Sequence, residues 1–298
     1  MVSKSLFEFA NIDLLDRAIE RVKKFVEKHR PRFIYAFYSG GKDSTVSTLA
    51  ALRATKNVIV IYTEVVGNTH QLNIELAREF AYEHGMNVYW IEAKNRVRFK
   101  HDVETTIQQI VDWNDMPAMI HIRAWGATHG DDFVSALARW GLPRGYVRWC
   151  HHEFKGYWWS ELPFTYAHHR HIVVGVRASE SSHLCLRWLD SEGEQRFDSR
   201  NGVDIALSPI YDFSDADIYA ILRKHYPRIL EHYEEYGDSL NCVFCPLRSI
   251  EKQRRIVEKL RDVPWEEFAE ALRQWAKNRR NVDEAKLNKI IEVLSMCR

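Results

Sequence analysis

The sequence predicts an α/β fold in which a doubly wound, mainly parallel sheet is flanked by helices, with a small helical appendage at the C-terminus. Apolar strand-like runs alternate with helical patterns over the first 91 residues, an order typical of parallel strands joined by crossover helices. The run at 58–62 is β-branched without polar alternation, which is typical of a strand covered on both faces. From Ile250 onward a charged, amphipathic pattern indicates three helices.

Apolar spacing and end signals define the individual elements. Helices are predicted at residues 12–29, 46–52 and about 70–84. The third of these helices ends at Gly85, where a left-handed cap favours glycine. Buried strands are predicted at 32–38, 58–62, 87–91 and 171–176.

The second half of the chain has weaker signals. Residues 116–145 contain several Gly and Pro residues and are predicted to form loops that reach over a site. Ser214 is the predicted N-cap of a helix. The helices after Ile250 are separated near Pro264 and Asn281. We expect an α/β domain over 1–235 and a cysteine-bearing loop with a helical segment over 236–298.

Composition excludes several classes of protein. With 46% hydrophobic and 28% charged residues among 298, the chain is neither disordered nor fibrous. It shows no apolar stretch of membrane-spanning length and no apolar signal segment at its start, so a cytoplasmic location without membrane contact is expected. A net charge of +1 gives no overall positive field that would attract nucleic acid, although it does not exclude local basic patches.

A glycine-rich segment, residues 39–44, lies between the first predicted strand and the following helix. Glycines let the backbone turn and bring several N–H groups close to an anion. The helix that follows adds unpaired amides and the positive end of its dipole. The carboxylate of Asp43 would repel phosphates, so it needs either a Mg²⁺ ion between it and them or a role as a helix cap. This "glycine loop" predicts a phosphate site, with a purely structural turn as the alternative; its residues are Ser39, Gly40, Gly41, Lys42, Asp43 and Ser44.

Other polar residues follow predicted strands. Arg177 comes directly after the strand at 171–176, so its guanidinium is expected at the carboxyl edge of the sheet, where it could grip phosphate or sulfate. Glu180 could hold Arg177 in place or bind Mg²⁺; an ordinary surface ion pair is the alternative. Thr63, Glu64 and Gly67 follow the second strand at the same edge, where a solvated turn is the competing interpretation.

Five cysteines are present: Cys150, Cys185, Cys242, Cys245 and Cys297. An odd number in a chain expected to be cytosolic argues against a disulfide framework and favours metal or redox chemistry. The spacing of Cys242 and Cys245 suits one metal ion or the edge of a cluster, and simple buried thiols are the alternative.

The glycine loop resembles the PP-loop, Ser-Gly-Gly-x-Asp-Ser, of the adenine nucleotide α-hydrolase superfamily. Members typically split ATP between the α and β phosphates and hold the departing pyrophosphate. Further segments resemble, in order, motifs of the superfamily's phosphoadenosine phosphosulfate (PAPS) reductase-like branch. They are Arg148-Trp149-Cys150 with Lys155, Gly175 to Ser181, Ser208 to Tyr211 with Asp215 to Tyr219, and Asn241 to Pro246. The resemblance spans roughly residues 30 to 250 and implies a HUP-like fold.

The resemblance also implies roles for particular residues. The nucleotide would be ATP, PAPS or adenylyl sulfate (APS), with Mg²⁺. Catalytic roles would fall to Lys42, Asp43 and Arg177. The nucleotide would contact the glycine loop together with Thr63, Glu64, Gly67, Gly175, Arg177 and Glu180.

A metal centre is implied as well, with one departure from the family pattern. Cluster-bearing members have adjacent cysteines at the first site, whereas this chain has Cys150-His151-His152. Cys150, Cys242 and Cys245 would be three ligands, and a histidine such as His151, Cys185 or an exogenous group the fourth. The resemblance favours a [4Fe–4S] cluster, with a Cys₃His Zn²⁺ site as the alternative.

Three functions remain open at this stage. The intact loop favours an ATP pyrophosphatase that adenylylates its substrate in sulfur transfer or activation. A PAPS or APS reductase would need a mobile nucleophilic thiolate, but the chain ends in Ser295-Met-Cys297-Arg298 rather than the family's Glu-Cys-Gly-x-His. A nucleotide-binding subunit of a larger complex is the third. The expected partners are a sulfur donor or thiol reductant and an acceptor that could be tRNA or DNA, and a homodimer is left open.

Overall fold

The computed structural model describes residues 13–93, 105–110, 119–124, 132–142, 148–156, 169–180, 187–199, 202–277, 279 and 282–297. None of the helices in these ranges is both long and apolar enough to cross a membrane.

Eight strands and nine longer helices are found in the described residues. The strands are β1 (Ile34–Tyr38), β2 (Val58–Val65), β3 (Val88–Ala93), β4 (Thr105–Ile110), β5 (Met119–Ala124), β6 (His169–Val173), β7 (Glu194–Ser199) and β8 (Gly202–Leu207). The helices are α1 (Leu14–His29), α2 (Lys42–Ala54), α3 (Gln71–Glu83), α4 (Phe133–Trp140), α5 (Asp215–His225), α6 (Pro227–Tyr236), α7 (Ile250–Lys259), α8 (Trp265–Lys277) and α9 (Glu284–Leu294).

The chain divides into two compact units, and the division falls within β2. The first unit combines Met1–Ile61 with Phe164–Glu231, and the second combines Tyr62–Pro163 with His232–Arg298. The strand order is β2-β1-β6-β8-β7 in the first unit and β4-β5-β3-β2 in the second. β6 is parallel to β1 and β8, and β3 is parallel to β5. Of these strand pairs with β4–β5 and β7–β8 added, only β4–β5 and β7–β8 are antiparallel, so the predicted mainly parallel α/β fold is confirmed.

Local sequence signals explain where several helices begin and end. Asp13 caps α1 by accepting a hydrogen bond from Leu15 N, and the helix ends at Arg30 in the left-handed region. Gly85, with φ +56°, follows α3 as predicted. Ser214 caps α5 in a reciprocal capping box with Asp217. These predicted boundaries are confirmed to within a few residues.

The region predicted as loops at 116–145 is wrong in part, because it contains β5 and α4. β4, β7 and β8 were also not predicted. The edge strands β4 and β7 read Thr-Thr-Ile-Gln-Gln-Ile and Glu-Gln-Arg-Phe-Asp-Ser, which lack the continuous apolar pattern of a strand covered on both faces. A continuous apolar run, which marks a buried strand, is therefore absent from β4 and β7.

Candidate functional site

The glycine loop connects β1 to α2 in the first unit, and of its two glycines only Gly40 has a positive φ, since Gly41 has φ −94°. Gly40 has φ +68°, a left-handed conformation that favours glycine. Gly41 is the N-cap of α2, and the first intrahelical bond runs from Thr45 N to Gly41 O at 2.9 Å. Because the opening amides of a helix have no intrahelical acceptor, the amides of Lys42 to Ser44 are positioned to bind an anion.

Two serine hydroxyls join the ends of the glycine loop. Ser39 N donates to Ser44 Oγ at 3.2 Å, and the two Oγ atoms lie 3.1 Å apart. Ser44 Oγ also donates to Gly41 O at 2.9 Å. These contacts hold the loop in its turned conformation.

Two cations share two carboxylates beside the loop. Lys42 Nζ lies 2.7 Å from Asp215 Oδ1 and 3.0 Å from Asp43 Oδ2. Arg177 Nη2 lies 2.9 Å from Asp215 Oδ1. Arg177 Nε lies 2.6 Å from Asp43 Oδ1, although the direction of its N–H makes this an ion pair rather than a hydrogen bond. The Arg177 side chain is only 3% exposed and that of Asp215 is 67% exposed, so the cluster joins a buried cation to a solvent-facing anion.

The pKa values in this cluster keep its charges in place. The hydrogen bond from Lys42 is the main reason that the pKa of Asp215 is lowered. Burial works to lower the pKa of Arg177, but the charges of Asp43, Asp215 and Glu180 outweigh it, so the pKa is raised. The pKa of Glu180 is raised by burial and then by the charge of Asp43. Arg177 therefore stays cationic at any physiological pH, and Glu180 holds its proton to higher pH than an isolated glutamate does.

Arg177 is positioned by the chain on both sides of it. Ser208 Oγ donates to Val176 O at 2.5 Å, and Ala178 N donates to Tyr211 O at 2.7 Å. Glu180 Oε1 lies 3.9 Å from Arg177 Nη2.

Gly175 packs directly against the glycine loop. A Cβ atom at this position would lie 2.6 Å from both the carbonyl carbon of Asp43 and the amide nitrogen of Ser44. Only glycine allows so close an approach between two backbones. Gly175 therefore lies behind the first turn of α2.

Asp215 was not predicted as a site residue. The sequence signal that could have identified it is its place at the start of a capped helix, within a segment that matches a family motif. Its partners Lys42 and Arg177 are 173 and 38 residues away along the chain, and only the fold brings them together.

The second unit contains the residues predicted at the end of β2. Glu64 Oε2 accepts a hydrogen bond from Trp90 Nε1 at 3.1 Å, and burial raises the pKa of this carboxyl group. Trp90 packs on Tyr62 with ring centroids 4.1 Å apart. Gly67 has φ +81°, and an added Cβ atom would lie 3.3 Å from Asp132 Cβ. These residues form a polar and aromatic strand end, in which Glu64 is a half-buried carboxyl group.

Asn241 connects this strand end to the predicted metal motifs within the second unit. Its Nδ2 donates to Thr63 O at 3.2 Å, and its Oδ1 accepts from Lys155 Nζ at 2.7 Å. Asn241 is 3% exposed. It belongs to a matched motif, but the sequence assigned it no role.

A frame of three side chains encloses residues 242–245, here called the cysteine segment. Asn68 accepts from Phe244 N through Oδ1 at 2.9 Å and donates to Phe244 O through Nδ2 at 3.1 Å. Arg248 donates to the carbonyl oxygens of Cys242 and Val243 at 2.8 and 2.7 Å. Gln253 donates to Val243 O and accepts from Cys245 N. These hydrogen bonds therefore satisfy the backbone groups of the turn.

The three predicted cysteine ligands lie in one neighbourhood. The pKa of Cys150 is raised by burial and then by the charges of Cys242 and Cys245, which requires the three thiols to be near one another. All three are free thiols, and His151, the predicted fourth ligand, is exposed.

Thiolate and imidazole donors are the ligand types that suit iron or zinc. Within the residues that the structure describes, no three His, Cys, Asp or Glu side chains are placed together as a ligand set. Neither a [4Fe–4S] cluster nor a Cys₃His zinc ion is therefore shown by the described residues, and the metal centre stays a prediction. Two residues of the predicted motifs, Ser181 and Cys185, lie outside the described residues.

A comparison with protein families decides the membership of the chain. Residues 34–248 match the model of the phosphoadenosine phosphosulfate reductase domain. The chain belongs to this family. The match extends from β1 through the glycine loop and Arg177 to the cysteine segment, and the predicted family resemblance is confirmed.

Solved structures of three other proteins are similar to this family member at low sequence identity. PAPS reductase from Candida auris, in a phosphate complex, is 15% identical over 78% of this chain and 93% of that chain, with a TM-score of 0.43. FMN adenylyltransferase from Candida glabrata, with FAD and inorganic pyrophosphate, is 14% identical over 75% of this chain, with a TM-score of 0.41; the chain spans only 60% of that protein's length. NH3-dependent NAD synthetase from Campylobacter jejuni, with nitrate, is 14% identical over 90% of this chain and 96% of that chain, with a TM-score of 0.39.

No curated protein matches the chain. The family is therefore assigned by the family match alone, and the activity follows from neither comparison.

Proposed function

We propose that the chain is a nucleotide-dependent transferase that binds the phosphates of ATP at the glycine loop, cleaves the bond between the α and β phosphates, and acts in sulfur transfer or activation. The observation that carries this proposal is the intact Ser-Gly-Gly-Lys-Asp-Ser loop, whose opening helical amides lie beside Lys42 and Arg177. A loop that holds departing pyrophosphate needs such donors and cations together.

The ion pairs of the cluster provide a way for phosphate to enter. Lys42 and Arg177 both contact the same Asp215 oxygen. Asp215 is the exposed member, so a phosphate oxygen approaching from solvent could replace it on both cations. Exchange of one anion for another costs less than bringing two unpaired cations out of water.

Net charge supports a requirement for Mg²⁺. Lys42 and Arg177 face the three carboxylates of Asp43, Asp215 and Glu180, so the ionised cluster does not attract a triphosphate by itself. Carboxylate oxygens are ligands that suit Mg²⁺, which in nucleotide sites is held by one or two carboxylates together with phosphate oxygens. Asp43 and Glu180 would hold the ion, which supplies charge neutralisation at the phosphates.

The residues then have separate roles in adenylyl transfer. An acceptor oxygen forms a bond to the α-phosphorus while the bond to the bridging α–β oxygen breaks, and pyrophosphate departs with the electron pair. The loop amides and Lys42 stabilise the charge that grows on pyrophosphate, and Arg177 neutralises a non-bridging oxygen. An anionic acceptor needs no general base.

The test is pyrophosphate release from ATP with Mg²⁺, with sulfate, bulk tRNA or duplex DNA as acceptor. We expect release with one acceptor and a loss of about 100-fold in Lys42→Met, because the removed charge acts on the leaving group. Lys224→Met, at an exposed lysine of α5, is the matched control and should keep full activity. Unchanged release in Lys42→Met would contradict the proposal.

A PAPS or APS reductase is the second candidate, and the family match favours it. That reaction needs a thiolate to attack the sulfate sulfur and a thiol reductant to release sulfite. Sulfite formation from PAPS or APS with dithiothreitol, abolished in Cys297→Ser, would support this function. ATP binding without turnover under any of these conditions would instead favour the third function, a nucleotide-binding subunit that needs a companion.

A further inference from the structure

Strand β7 forms an edge of the first unit. It ends the strand order of that unit, and β8 is the only described strand that pairs with it. Within the part of the chain that the structure describes, its outer edge has no strand partner, a feature that proteins usually block or use.

The hydrogen-bond phase of the β7–β8 ladder shows which backbone groups face outward. Ser208 N donates to Gly193 O at 2.7 Å, and the register that pairs Glu194 with Leu207 places Gly193 opposite Ser208. Inward and outward bonding alternate along an antiparallel strand. Phe197 therefore bonds to β8, whereas the N–H and C=O groups of Arg196 and Asp198 point away from the sheet.

The side chains at this edge carry a self-complementary pattern. Arg196, Phe197 and Asp198 are consecutive and exposed, and the Phe197 side chain is 44% exposed. Within the described residues, neither Arg196 nor Asp198 forms an ion pair. If two β7 strands paired antiparallel about a two-fold axis at Phe197, Arg196 of each copy would lie opposite Asp198 of the other copy. The two phenyl rings would then face each other.

We propose that a second copy of this chain pairs with it through β7, edge to edge and antiparallel, with Phe197 on the two-fold axis. The pairing makes an isologous dimer, because the same segment supplies both sides. Arg196 of the first copy lies directly opposite Asp198 of the second copy, and the two residues exchange backbone hydrogen bonds. The two-fold axis repeats this pair between Asp198 of the first copy and Arg196 of the second copy.

Charge selects this register over its neighbours. An axis at Arg196 would oppose two arginines, and would also place Glu194 against Asp198. An axis at Asp198 would oppose two aspartates. Like charges directly across strands are destabilising, so of these three registers only the one centred on Phe197 places Arg196 opposite Asp198.

The test is the association constant of the full chain and of charge variants, measured by sedimentation. Wild type should dimerise reversibly below about 200 µM. Arg196→Asp and Asp198→Arg should each weaken self-association by about tenfold or more, because each places like charges opposite in two symmetric pairs. An equal mixture of the two variants should associate as a heterodimer, since each introduced charge then faces an opposite charge on the other copy. The double variant carrying both changes should recover the wild-type constant.

Three results would overturn the proposal: a wild-type chain that stays monomeric over this range, single variants that dimerise like wild type, or a mixture that fails to associate. Circular dichroism melting of each variant checks that the fold is intact. The side chains of Arg196 and Asp198 are exposed and form no ion pair with the described residues, so unfolding is not expected. Nucleotide binding plays no part in this experiment, which makes its outcome independent of the proposed function.

Discussion

The glycine loop in the first unit and the cysteine segment in the second hold their polar groups in opposite ways. At the loop, two cations share carboxylates, and the opening amides of α2 have no intrahelical acceptor. In the cysteine segment, each backbone group from Cys242 O to Cys245 O has a partner in Asn68, Arg248 or Gln253. Our proposal is that the first region exchanges its partners for a ligand. The second is arranged to keep them.

Asn68→Ala should have the largest effect on stability. The substitution leaves the buried N–H and C=O of Phe244 without their partner, which costs about 3 kcal/mol of unfolding free energy. Urea denaturation measures this loss. Asn87→Ala, at an exposed asparagine, should change stability by less than about 0.5 kcal/mol.

Folded Asn68→Ala should still bind inorganic pyrophosphate as wild type does. A variant that loses pyrophosphate binding while it remains folded would show that the cysteine segment is not an independent frame, and the comparison would fail.

Gly175→Ala tests the same comparison at the glycine loop. The new Cβ atom would meet the backbone of Asp43 and Ser44 at 2.6 Å, so the start of α2 must move, at a cost of about 1–3 kcal/mol. Pyrophosphate affinity should fall by about tenfold or more, as the loop amides lose their alignment. Calorimetric titration measures the affinity.

The matched control is Gly85→Ala, where nothing lies within 4 Å of the added Cβ atom. It should be mildly destabilised by its left-handed φ and keep wild-type affinity. Equal affinities in Gly175→Ala and Gly85→Ala would contradict the account of Gly175.

Asp215→Asn tests whether this carboxylate competes with phosphate. Removal of an anion that contacts both Lys42 and Arg177 should raise pyrophosphate affinity by about three- to tenfold at low salt, and less at high salt. Because the pKa of Asp215 is lowered, it stays ionised to below the usual range of aspartate, so the difference should persist from pH 8 to pH 5. Weaker binding by Asp215→Asn would mean that Asp215 positions the two cations instead.

Glu64→Gln should have the smallest effect. Its folded-state pKa is raised by burial, so the ionised form destabilises the fold at neutral pH, and this cost disappears below the unfolded-state pKa of glutamate. The variant should have a higher urea midpoint than wild type at pH 7 and nearly the same midpoint at pH 4. Glu258→Gln, at an exposed site on α7, is the control and should have the wild-type urea midpoint at both pH values. A lower urea midpoint for Glu64→Gln than for wild type at pH 7 would contradict the expected stabilisation.

Sequence reasoning found the parts of this protein whose signals are local. β1, β2 and the helices with clear apolar periodicity were predicted, as was the glycine loop, because its chemistry lies within six consecutive residues. The edge strands were missed, since most of their side chains are polar. Asp215 and Asn68 could not be assigned, because Asn68 meets Phe244 across 176 residues of chain. Such contacts exist only in the folded protein.

The most direct test of the central claim is a calorimetric titration of wild type, Gly40→Ala and Gly237→Ala with inorganic pyrophosphate in the presence of Mg²⁺. Both glycines have left-handed φ angles, +68° and +70°, so the backbone strain of the two substitutions is matched, and only Gly40 belongs to the glycine loop. We predict one site in wild type, a loss of about 100-fold in affinity for Gly40→Ala, and wild-type affinity for Gly237→Ala. No binding by wild type, or equal binding by the two variants, would contradict the claim that this loop holds the phosphates of a nucleotide.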